Sequence, residues 1–336
     1  MTTDKKFYRD SMMDLTNYRL EPAALDGDWD RFVQWSPQGT LFCESVFASA
    51  LQGEFLPYWV LKKNEPKAAV LLLKTEQTET GLHELLIHSG PMMAASDGQQ
   101  NGAQTLSEEF RVLSFLASKL ADYFKVVEFA THPALRDLRP FLWHNYGEDL
   151  PKYTAELCYT AYLDIADAGS DCALNDNRVY HMANKSRRQE IRYAAKAGVR
   201  TTERFDADLF RRFYELVFQR QQLVPTPSTE EIVGVMRSLH EAGRLRMFVS
   251  ETSSGEIGSI AVFGIDTKRA YYLYGANDPA LRDGHTGTAV LWDSFRALSS
   301  DTDEVDLEGV NSPMRGYFKL SFGAELHPYY HVKLDN

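Results

Sequence analysis

The chain has 336 residues, of which 44% are hydrophobic and 12% aromatic, and its formal net charge is −11. This composition supports a packed core and excludes disorder over most of the length. An acidic chain also has no long-range attraction for nucleic acid, so any polyanion must be held by a local basic patch.

The cysteines and histidines give no support for a disulfide framework or a metal site. The three cysteines, an odd number without CxxC spacing, are Cys43, Cys158 and Cys172. His327 and His331 have HxxxH spacing, but Pro328 lies between them and argues against the helix that would bring both rings onto one metal. We therefore expect no bound metal.

The charge of the N-terminus and the length of the apolar stretches indicate where the protein resides. Residues Met1–Asp10 are charged and do not resemble a signal peptide. The longest apolar stretch, Ala68–Leu73, is far too short to span a bilayer. We expect a cytoplasmic protein with reduced cysteines and no transmembrane segment, and the sequence leaves its oligomeric state open.

The first half of the chain is predicted to mix helices and strands. Apolar positions recur at helical spacing between Leu106 and Phe124, whereas the shorter apolar runs are typical of strands. The predicted helices are residues 28–34 and 106–124, and the predicted strands are residues 57–62, 67–74, 85–88 and 125–130.

The second half repeats this mixture in a longer series. Ser228 followed by Glu231 is a capping box, which marks the start of one helix. The predicted helices are residues 184–197, 206–220, 228–241 and 287–298. The predicted strands are residues 161–164, 246–252, 258–266, 269–274, 304–307 and 329–333. Such an order predicts an α/β (α+β) protein with mixed β-sheets flanked by helices.

One segment combines a strand, a glycine-containing loop and the start of a helix. The strand Tyr271–Asn277 is followed by the loop Arg282–Thr288 and then by a helix. Free amides and the positive end of the helix dipole favour an anion there, and glycines let the backbone approach a phosphate closely. The segment is neither a P-loop nor a GxGxxG motif, and a tight turn capped by Thr286 is the alternative interpretation.

A second segment carries acids and a lysine after a strand. Asp306 lies near the end of the predicted strand 304–307 and Glu308 directly follows it, and Lys319 lies beside the apolar Phe318. Carboxylates at a strand end can act as bases, and a fixed positive charge can hold a phosphate or stabilise an oxyanion. The alternative is a surface salt bridge between Lys319 and one of the carboxylates.

The third segment is basic. Residues 181–200 contain six Lys or Arg side chains and one acid, Glu190. Four of the basic residues form a helical stripe: Lys185, Arg188, Arg192 and Lys196. The stripe could contact phosphates of a cofactor, a nucleotide-linked substrate or an RNA, but a solvated helix face is the alternative.

Taken in this order, the three segments resemble one superfamily. Asn184–Val199, the tyrosines of 271–274, and the Phe318-Lys319 and Phe322-Gly323 pairs resemble the GNAT-like superfamily, in particular the Fem-type peptidyltransferases and the BioF2-like acetyltransferase domain. The resemblance covers roughly residues 156–336. It implies two tandem GNAT-like domains: a degenerate one at 1–155 and an acyltransferase domain at 156–336.

The resemblance also implies how a donor is bound. In GNAT proteins one strand splays from its neighbour, the pantetheine arm of a thioester pairs with the exposed strand edge, and the pyrophosphate lies on the next helix start. The residues implied to bind the donor are Tyr274, Gly275, Ala276, Arg282, Gly284, Gly287 and Thr288. The loop departs from the usual Arg/Gln-x-x-Gly-x-Gly/Ala pattern, since its glycines lie two and five residues after Arg282.

The implied reaction is attack by an amine on an activated acyl carbonyl. The implied catalytic residues are Asp306, Glu308, Lys319, Tyr317 and Tyr274, with Asp306 or Glu308 orienting or deprotonating the amine and a tyrosine protonating the leaving group. The residues expected to bind substrate are Arg220, Lys185, Arg188, Arg192 and Asn311.

Three functions are consistent with these residues. The first is an N-acyltransferase that moves an acyl group from acyl-CoA to an amino group of a small-molecule or nucleotide-linked acceptor, such as a cell-envelope or sugar-nucleotide precursor. The second is a Fem-like peptidyltransferase for peptidoglycan bridges that uses aminoacyl-tRNA. The third is a non-catalytic GNAT-like scaffold, which the altered glycines of the loop favour.

Overall fold

The computed structural model describes residues 15–51, 53–96, 98–169 and 172–336, so the expectation for Met1–Asp10 lies outside the described residues. The chain divides into two compact units. The first unit holds the described residues up to Cys158 together with Tyr329–Asn336, and the second unit holds Tyr159–Pro328. Among the residues described, no helix is both long enough and apolar enough to cross a membrane.

Strands and helices alternate along most of the chain. The strands are β1 (Tyr18–Pro22), β2 (Phe55–Lys62), β3 (Glu65–Glu76), β4 (Glu79–Gly81), β5 (Met92–Met93), β6 (Val126–Ala130), β7 (Thr154–Asp164), β8 (Arg200–Glu203), β9 (Leu245–Glu251), β10 (Ile257–Ile265), β11 (Ala270–Asn277), β12 (Glu304–Asp306) and β13 (Glu325–Asp335). The helices are α1 (Gly27–Trp35), α2 (Ser45–Leu51), α3 (Gly102–Tyr123), α4 (Arg139–Leu142), α5 (Arg178–Met182), α6 (Lys185–Lys196), α7 (Ala207–Gln221), α8 (Thr229–Glu241), α9 (Thr286–Leu298) and α10 (Pro313–Leu320).

The sheet of the first unit has the strand order β1-β2-β3-β4-β6-β13. Neighbours are antiparallel except β4 and β6, which are parallel and pair only at Glu79 and Val126. Helix α3 packs on this sheet because its apolar positions, among them Leu113, Leu116 and Leu120, form one buried face. The core of the unit therefore lies between α3 and the sheet.

The sheet of the second unit has the strand order β7-β12-β11-β10-β9-β8. Here β11 and β12 are parallel, whereas the other described pairs are antiparallel. Phe263 of β10 and Phe295 of α9 belong to one core cluster together with Phe322. Mixed sheets that pack against helices confirm the fold class predicted from the sequence.

The structure differs from the predicted elements at a few places. Residues 85–88, predicted as a strand, contain none; the amides of Ser89 and Gly90 instead donate to the carbonyl oxygen of Ala130 at 3.0 and 2.7 Å. Ala130 is the last residue of β6, so the amides of Ser89 and Gly90 find an acceptor at the end of that strand without forming a β-ladder. Short elements that the sequence pattern did not predict include β1, β4, β5, β8, α4, α5 and α10.

Candidate active site

The parallel strands β11 and β12 diverge after two residue pairs. They pair at Ala270 with Val305 and at Tyr271 with Asp306, and β11 then continues to Asn277 with only β10 beside it in the described part of the chain. We call the space beyond Tyr271 and Asp306 the β11–β12 wedge. Along it β11 presents the hydrogen-bonding edge of an unpaired strand, which another extended chain can pair with.

A β-bulge in β11 places two tyrosines on opposite faces of the sheet. Tyr272 pairs with Phe263 and Tyr274 pairs with Val262, so Leu273 is the extra residue. The ring of Tyr272 lies 5.3 Å from that of Phe263, whereas Tyr274 packs against two aromatic rings of α7. A Cβ atom at residue 275 would lie 1.6 Å from the Tyr272 hydroxyl, so only glycine fits beside this tyrosine.

Asp306, at the point of divergence, is fully buried and holds the turn that follows β12. Its Oδ1 accepts hydrogen bonds from the Thr160 hydroxyl and from the Glu308 amide, the latter at 2.9 Å. Glu308 and Gly309 both have φ of +45°, in the left-handed region that is unfavourable for a residue with a Cβ. The turn directs the Glu308 carboxyl inward, where the residue is 5% exposed.

Two buried polar atoms at the wedge have no hydrogen-bond partner among the described residues. They are Glu308 Oε1 and the hydroxyl oxygen of Tyr274. Burial raises the pKa of Glu308 well above its usual range; the Asp306 charge adds to this and Lys319 opposes it. Burial also raises the pKa of Tyr274. Such atoms cost free energy unless a ligand or water reaches them.

Lys319 is the cation nearest to this turn. It is 9% exposed, and its Nζ donates to the carbonyl oxygens of Leu307 and Glu308 at 2.6 and 2.9 Å. The same Nζ lies 4.8 Å from the centre of the Tyr272 ring. Burial lowers the pKa of Lys319 to about 8, against the opposing effect of Glu308. Lys319 therefore stabilises the turn and places a titratable positive charge beside Glu308.

Arg187 was not among the residues predicted from the sequence. Its Nε donates to the Ser321 hydroxyl at 2.9 Å and its Nη1 donates to the Thr288 hydroxyl. The guanidinium also lies 4.4 and 4.9 Å from the rings of Phe318 and Phe322. Burial lowers the pKa of Arg187, but a guanidinium still stays charged at neutral pH. A positive charge is thus fixed at the start of α9.

The sequence did contain a signal for this arginine. Positions 187, 191 and 194 follow i, i+4, i+7 spacing, and Ile191 and Ala194 are the buried residues of α6. Arg187 therefore belongs to the apolar face of the helix. The stripe singled out in the sequence lies on the outer face.

The start of α9 has no side-chain cap. Its N-cap residue, His285, has a left-handed φ of +58°, and its Nδ1 lies 2.7 Å from Glu190 Oε2. Thr286, the expected cap, instead contacts the Ser259 hydroxyl at 2.7 Å. The first amides of a helix carry the positive end of its dipole, and Arg187 adds a positive charge beside Thr288, so this helix start is electropositive.

Several predicted site residues lie on the surface. Arg220 is exposed in the last turn of α7, and Arg282 is exposed in the one-turn helix Pro279–Gly284. Tyr317 is 73% exposed on α10. Gly284, in the same short helix as Arg282, is half-buried. No described contact joins these four residues to Glu308. Asp306 and Lys319, by contrast, both bond the main chain of Glu308.

The predicted substrate-binding residues are divided between the surface and one structural contact. Lys185 and Arg192 are exposed and Arg188 is partly exposed; Arg192 donates to the Tyr180 hydroxyl at 2.7 Å. Asn311 accepts from the Tyr159 amide at 2.7 Å and donates to its carbonyl at 2.9 Å. Asn311 thus fixes the chain after Glu308 against β7.

The remaining predicted donor-binding residues line the strand edge and the helix start. Gly275 and Ala276 lie on the unpaired part of β11. A Cβ atom at Gly287 would lie 2.6 Å from Asn277 Oδ1, so glycine allows α9 to begin against the end of β11. In the described part of the chain, no group of three or more His, Cys, Asp or Glu residues could hold a metal ion.

Comparisons with known proteins identify the fold. Residues 181–313 match the acetyltransferase (GNAT) domain family. No curated protein sequence matches the chain. The structure of FemX matches with a TM-score of 0.63 and 13% identity, over 93% of this chain and 96% of that one.

Two further structures show the same architecture. A tandem GNAT protein from the clavulanic acid biosynthesis pathway matches with a TM-score of 0.50 and 10% identity, over 94% of this chain and 98% of that one. L-PGS from Bacillus licheniformis matches with a TM-score of 0.51 and 12% identity, over 91% of each chain. The chain therefore has a GNAT-like fold that is similar to the fold of FemX.

Proposed function

We propose that the protein is an N-acyltransferase that moves an acyl group from acyl-CoA to an amino group of a cell-envelope or sugar-nucleotide precursor. The observation that carries the proposal is the β11–β12 wedge, where Glu308 Oε1 and the Tyr274 hydroxyl are buried without a partner among the described residues. An unpaired strand edge beside a buried carboxyl suits a thioester that is attacked by an amine.

In this proposal the donor lies along β11. The pantetheine amides pair with the strand edge from Tyr272 to Asn277, as an added strand would. The pyrophosphate binds at the uncapped start of α9, where Arg187 supplies a fixed charge beside Thr288. Arg187, which bonds the Thr288 hydroxyl, supports this donor position more strongly than the exposed Arg282 does.

In this proposal different residues of the wedge accept and donate the protons of the acyl transfer. The amine nitrogen attacks the thioester carbon, and Glu308 accepts a proton from that nitrogen. Lys319 stabilises the oxyanion, because two of its three N–H groups bond main-chain carbonyls and one remains. The carbon–sulfur bond then breaks, and Tyr274, whose raised pKa keeps it protonated, gives a proton to the leaving thiolate. Asp306 positions Glu308.

A cation near the wedge supports an acceptor that carries a phosphate. Arg315 is exposed on α10, and its charge opposes the rise in the pKa of both Tyr272 and Tyr274 that burial causes. Its guanidinium therefore acts on the residues that flank the strand edge. A nucleotide-linked or phosphorylated amine would place its anionic part against such a group.

The second candidate is a Fem-like transfer from aminoacyl-tRNA. The outward stripe of α6, with Lys185, Arg188 and Arg192, is the observation that favours it, together with the FemX-like fold. The net charge of −11 opposes it, because an acidic protein has no long-range attraction for a polyanion.

Ligand binding and intact mass distinguish the candidates. Acetyl-CoA is expected to raise Tm, and transfer to a panel of amino sugars and nucleotide-linked amines is expected to add the acyl mass to one of them. A tRNA complex that weakens steeply with salt, without an effect of acetyl-CoA, would select the second candidate. A protein that binds a precursor and acylates nothing would be the scaffold.

A further inference from the structure

The first unit contains a cavity of about 600 Å³ that plays no part in the proposed reaction. Its volume lies within the range of small-molecule sites. Aliphatic side chains cover much of its wall: Leu106, Leu138, Leu142 and Ala155. Tyr330 adds an aromatic ring, and Leu106 and Leu142 are themselves 46% and 43% exposed, so the cavity opens to solvent along an apolar rim.

Two of the lining residues, Arg139 and Asp137, form an ion pair. Arg139 donates from Nε and Nη2 to the two carboxylate oxygens of Asp137 at 2.8 and 2.6 Å. Its guanidinium also lies 5.5 and 5.4 Å from the rings of Phe110 and Trp143. Because Arg139 holds the pKa of Asp137 below its usual range, this carboxylate stays ionised and paired. The Arg139–Asp137 pair therefore adds no net charge to the lining of the cavity.

The neighbouring Arg136 is different. It lines the same cavity and is exposed, and no ion pair or hydrogen bond of its side chain is found among the described residues. The nearby acid of α3 is Glu109, whose pKa burial and the Asp137 charge both raise. The Arg136 guanidinium thus lies beside the apolar wall of the cavity without a carboxylate partner among the described residues, in a protein whose net charge is −11.

We propose that this cavity binds a small free amphiphile, with an apolar chain against the aliphatic wall and one carboxylate on Arg136. Charge complementarity selects the anion, because the only other charges in the lining, Arg139 and Asp137, neutralise each other. The aliphatic side chains select the apolar part, since burying them removes exposed leucine surface from water. The site is separate from the β11–β12 wedge and does not depend on the proposed acyl transfer.

The test is calorimetric titration of the full chain with decanoate below its critical micelle concentration and with decanol below its solubility limit. We expect one decanoate per chain, and binding at least fivefold weaker in Arg136→Gln. Decanol is expected to bind equally weakly to both proteins. Arg111→Gln, which changes an exposed arginine of α3 outside the lining, is the matched control and should bind like the unaltered protein.

A second variant tests the apolar wall. Leu142→Gln, at a position that is 43% exposed, should weaken decanoate binding while Tm stays within a few degrees. The proposal is overturned by the absence of decanoate binding, by equal affinity of Arg136→Gln and the unaltered protein, or by decanol binding as tightly as decanoate. Binding to anionic phospholipid vesicles without binding to monomeric decanoate would also overturn it, because the ligand would then be a membrane surface.

Discussion

The two units differ in what occupies the space beside their diverging parallel strands. In the first unit β4 and β6 pair only at Glu79 and Val126. The Thr80 hydroxyl then accepts from the Glu128 amide at 3.0 Å, and Ser89 and Gly90 bond Ala130, so the chain itself fills the gap. In the second unit the corresponding edge of β11 stays unpaired within the described residues.

The two units also differ in how the N-termini of their helices α3 and α9 are capped. Asn101 and Gln104 form a reciprocal capping box at the start of α3, with both hydrogen bonds at 3.0 Å. The start of α9 has no side-chain cap and faces Arg187 instead. The start of α3 is thus capped by side chains of its own unit, whereas the start of α9 has no side-chain cap.

Glu308→Gln should have the largest effect. Removing a general base lowers the rate by about 10²–10⁴-fold, so we expect a fall in kcat of that size with little change in Tm. Acyl transfer followed by intact mass measures it. Glu256→Gln, on the exposed β9–β10 hairpin, is the control and should keep normal activity. Unchanged kcat in Glu308→Gln would remove the base from the proposal.

Arg187→Gln should come next. A charge-assisted hydrogen bond contributes about 1.5–3 kcal/mol, which corresponds to a loss of about 10–100-fold in affinity for acyl-CoA. The Kd from titration calorimetry measures the effect, and Arg211→Gln, on the exposed face of α7, is the control. If acyl-CoA binds Arg187→Gln as well as it binds the unaltered protein, the anion does not lie at the start of α9.

Gly90→Ala tests the filled gap of the first unit. A Cβ atom there would lie 2.7 Å from the Ala130 carbonyl oxygen and 3.1 Å from Thr131 Cα, both backbone atoms. Overpacking of this kind lowers the free energy of unfolding by about 1–3 kcal/mol. Gly102→Ala is the control, because its Cβ would meet nothing within 4 Å. Equal midpoints of the two variants in urea would contradict a filled gap.

The pH dependence of kcat/KM should reveal Lys319. The ammonium is the active form, and its pKa of about 8 means that the charged fraction falls tenfold for each pH unit above that value. We therefore expect kcat/KM to be about tenfold lower at pH 9 than at its plateau. In Lys319→Met this alkaline limb should disappear along with much of the activity. A limb that persists in Lys319→Met would assign it to another group.

Asn101→Ala should have the smallest effect. Loss of the cap of α3 costs about 1 kcal/mol of stability and should leave acyl transfer unchanged, because the first unit satisfies this helix start by itself. Thermal unfolding and the activity assay measure both. A fall in acyl-CoA affinity in this variant would show that the start of α3 also binds an anion.

Much of the fold was predictable because it depends on local periodicity. The spacing of apolar positions predicted α3, α7 and α9 to within a few residues, and the acids at and after the end of β12 were predicted from their position in the chain. The prediction of a strand at 85–88 was wrong because a short apolar run has the same sequence pattern whether it forms a β-strand or a buried loop. Arg187 was missed because its charge masked its place on the buried face of α6.

The sequence alone determined the mixed α/β class, the positions of the long helices and the segment that carries Asp306, Glu308 and Lys319, because side-chain periodicity and turn residues are local properties. Only the tertiary structure decided that the bulge at Leu273 separates Tyr272 from Tyr274, that Glu308 is buried without a partner among the described residues, and that Arg187 faces the start of α9. Those properties depend on contacts between residues far apart in the chain, which packing fixes and a local pattern does not contain.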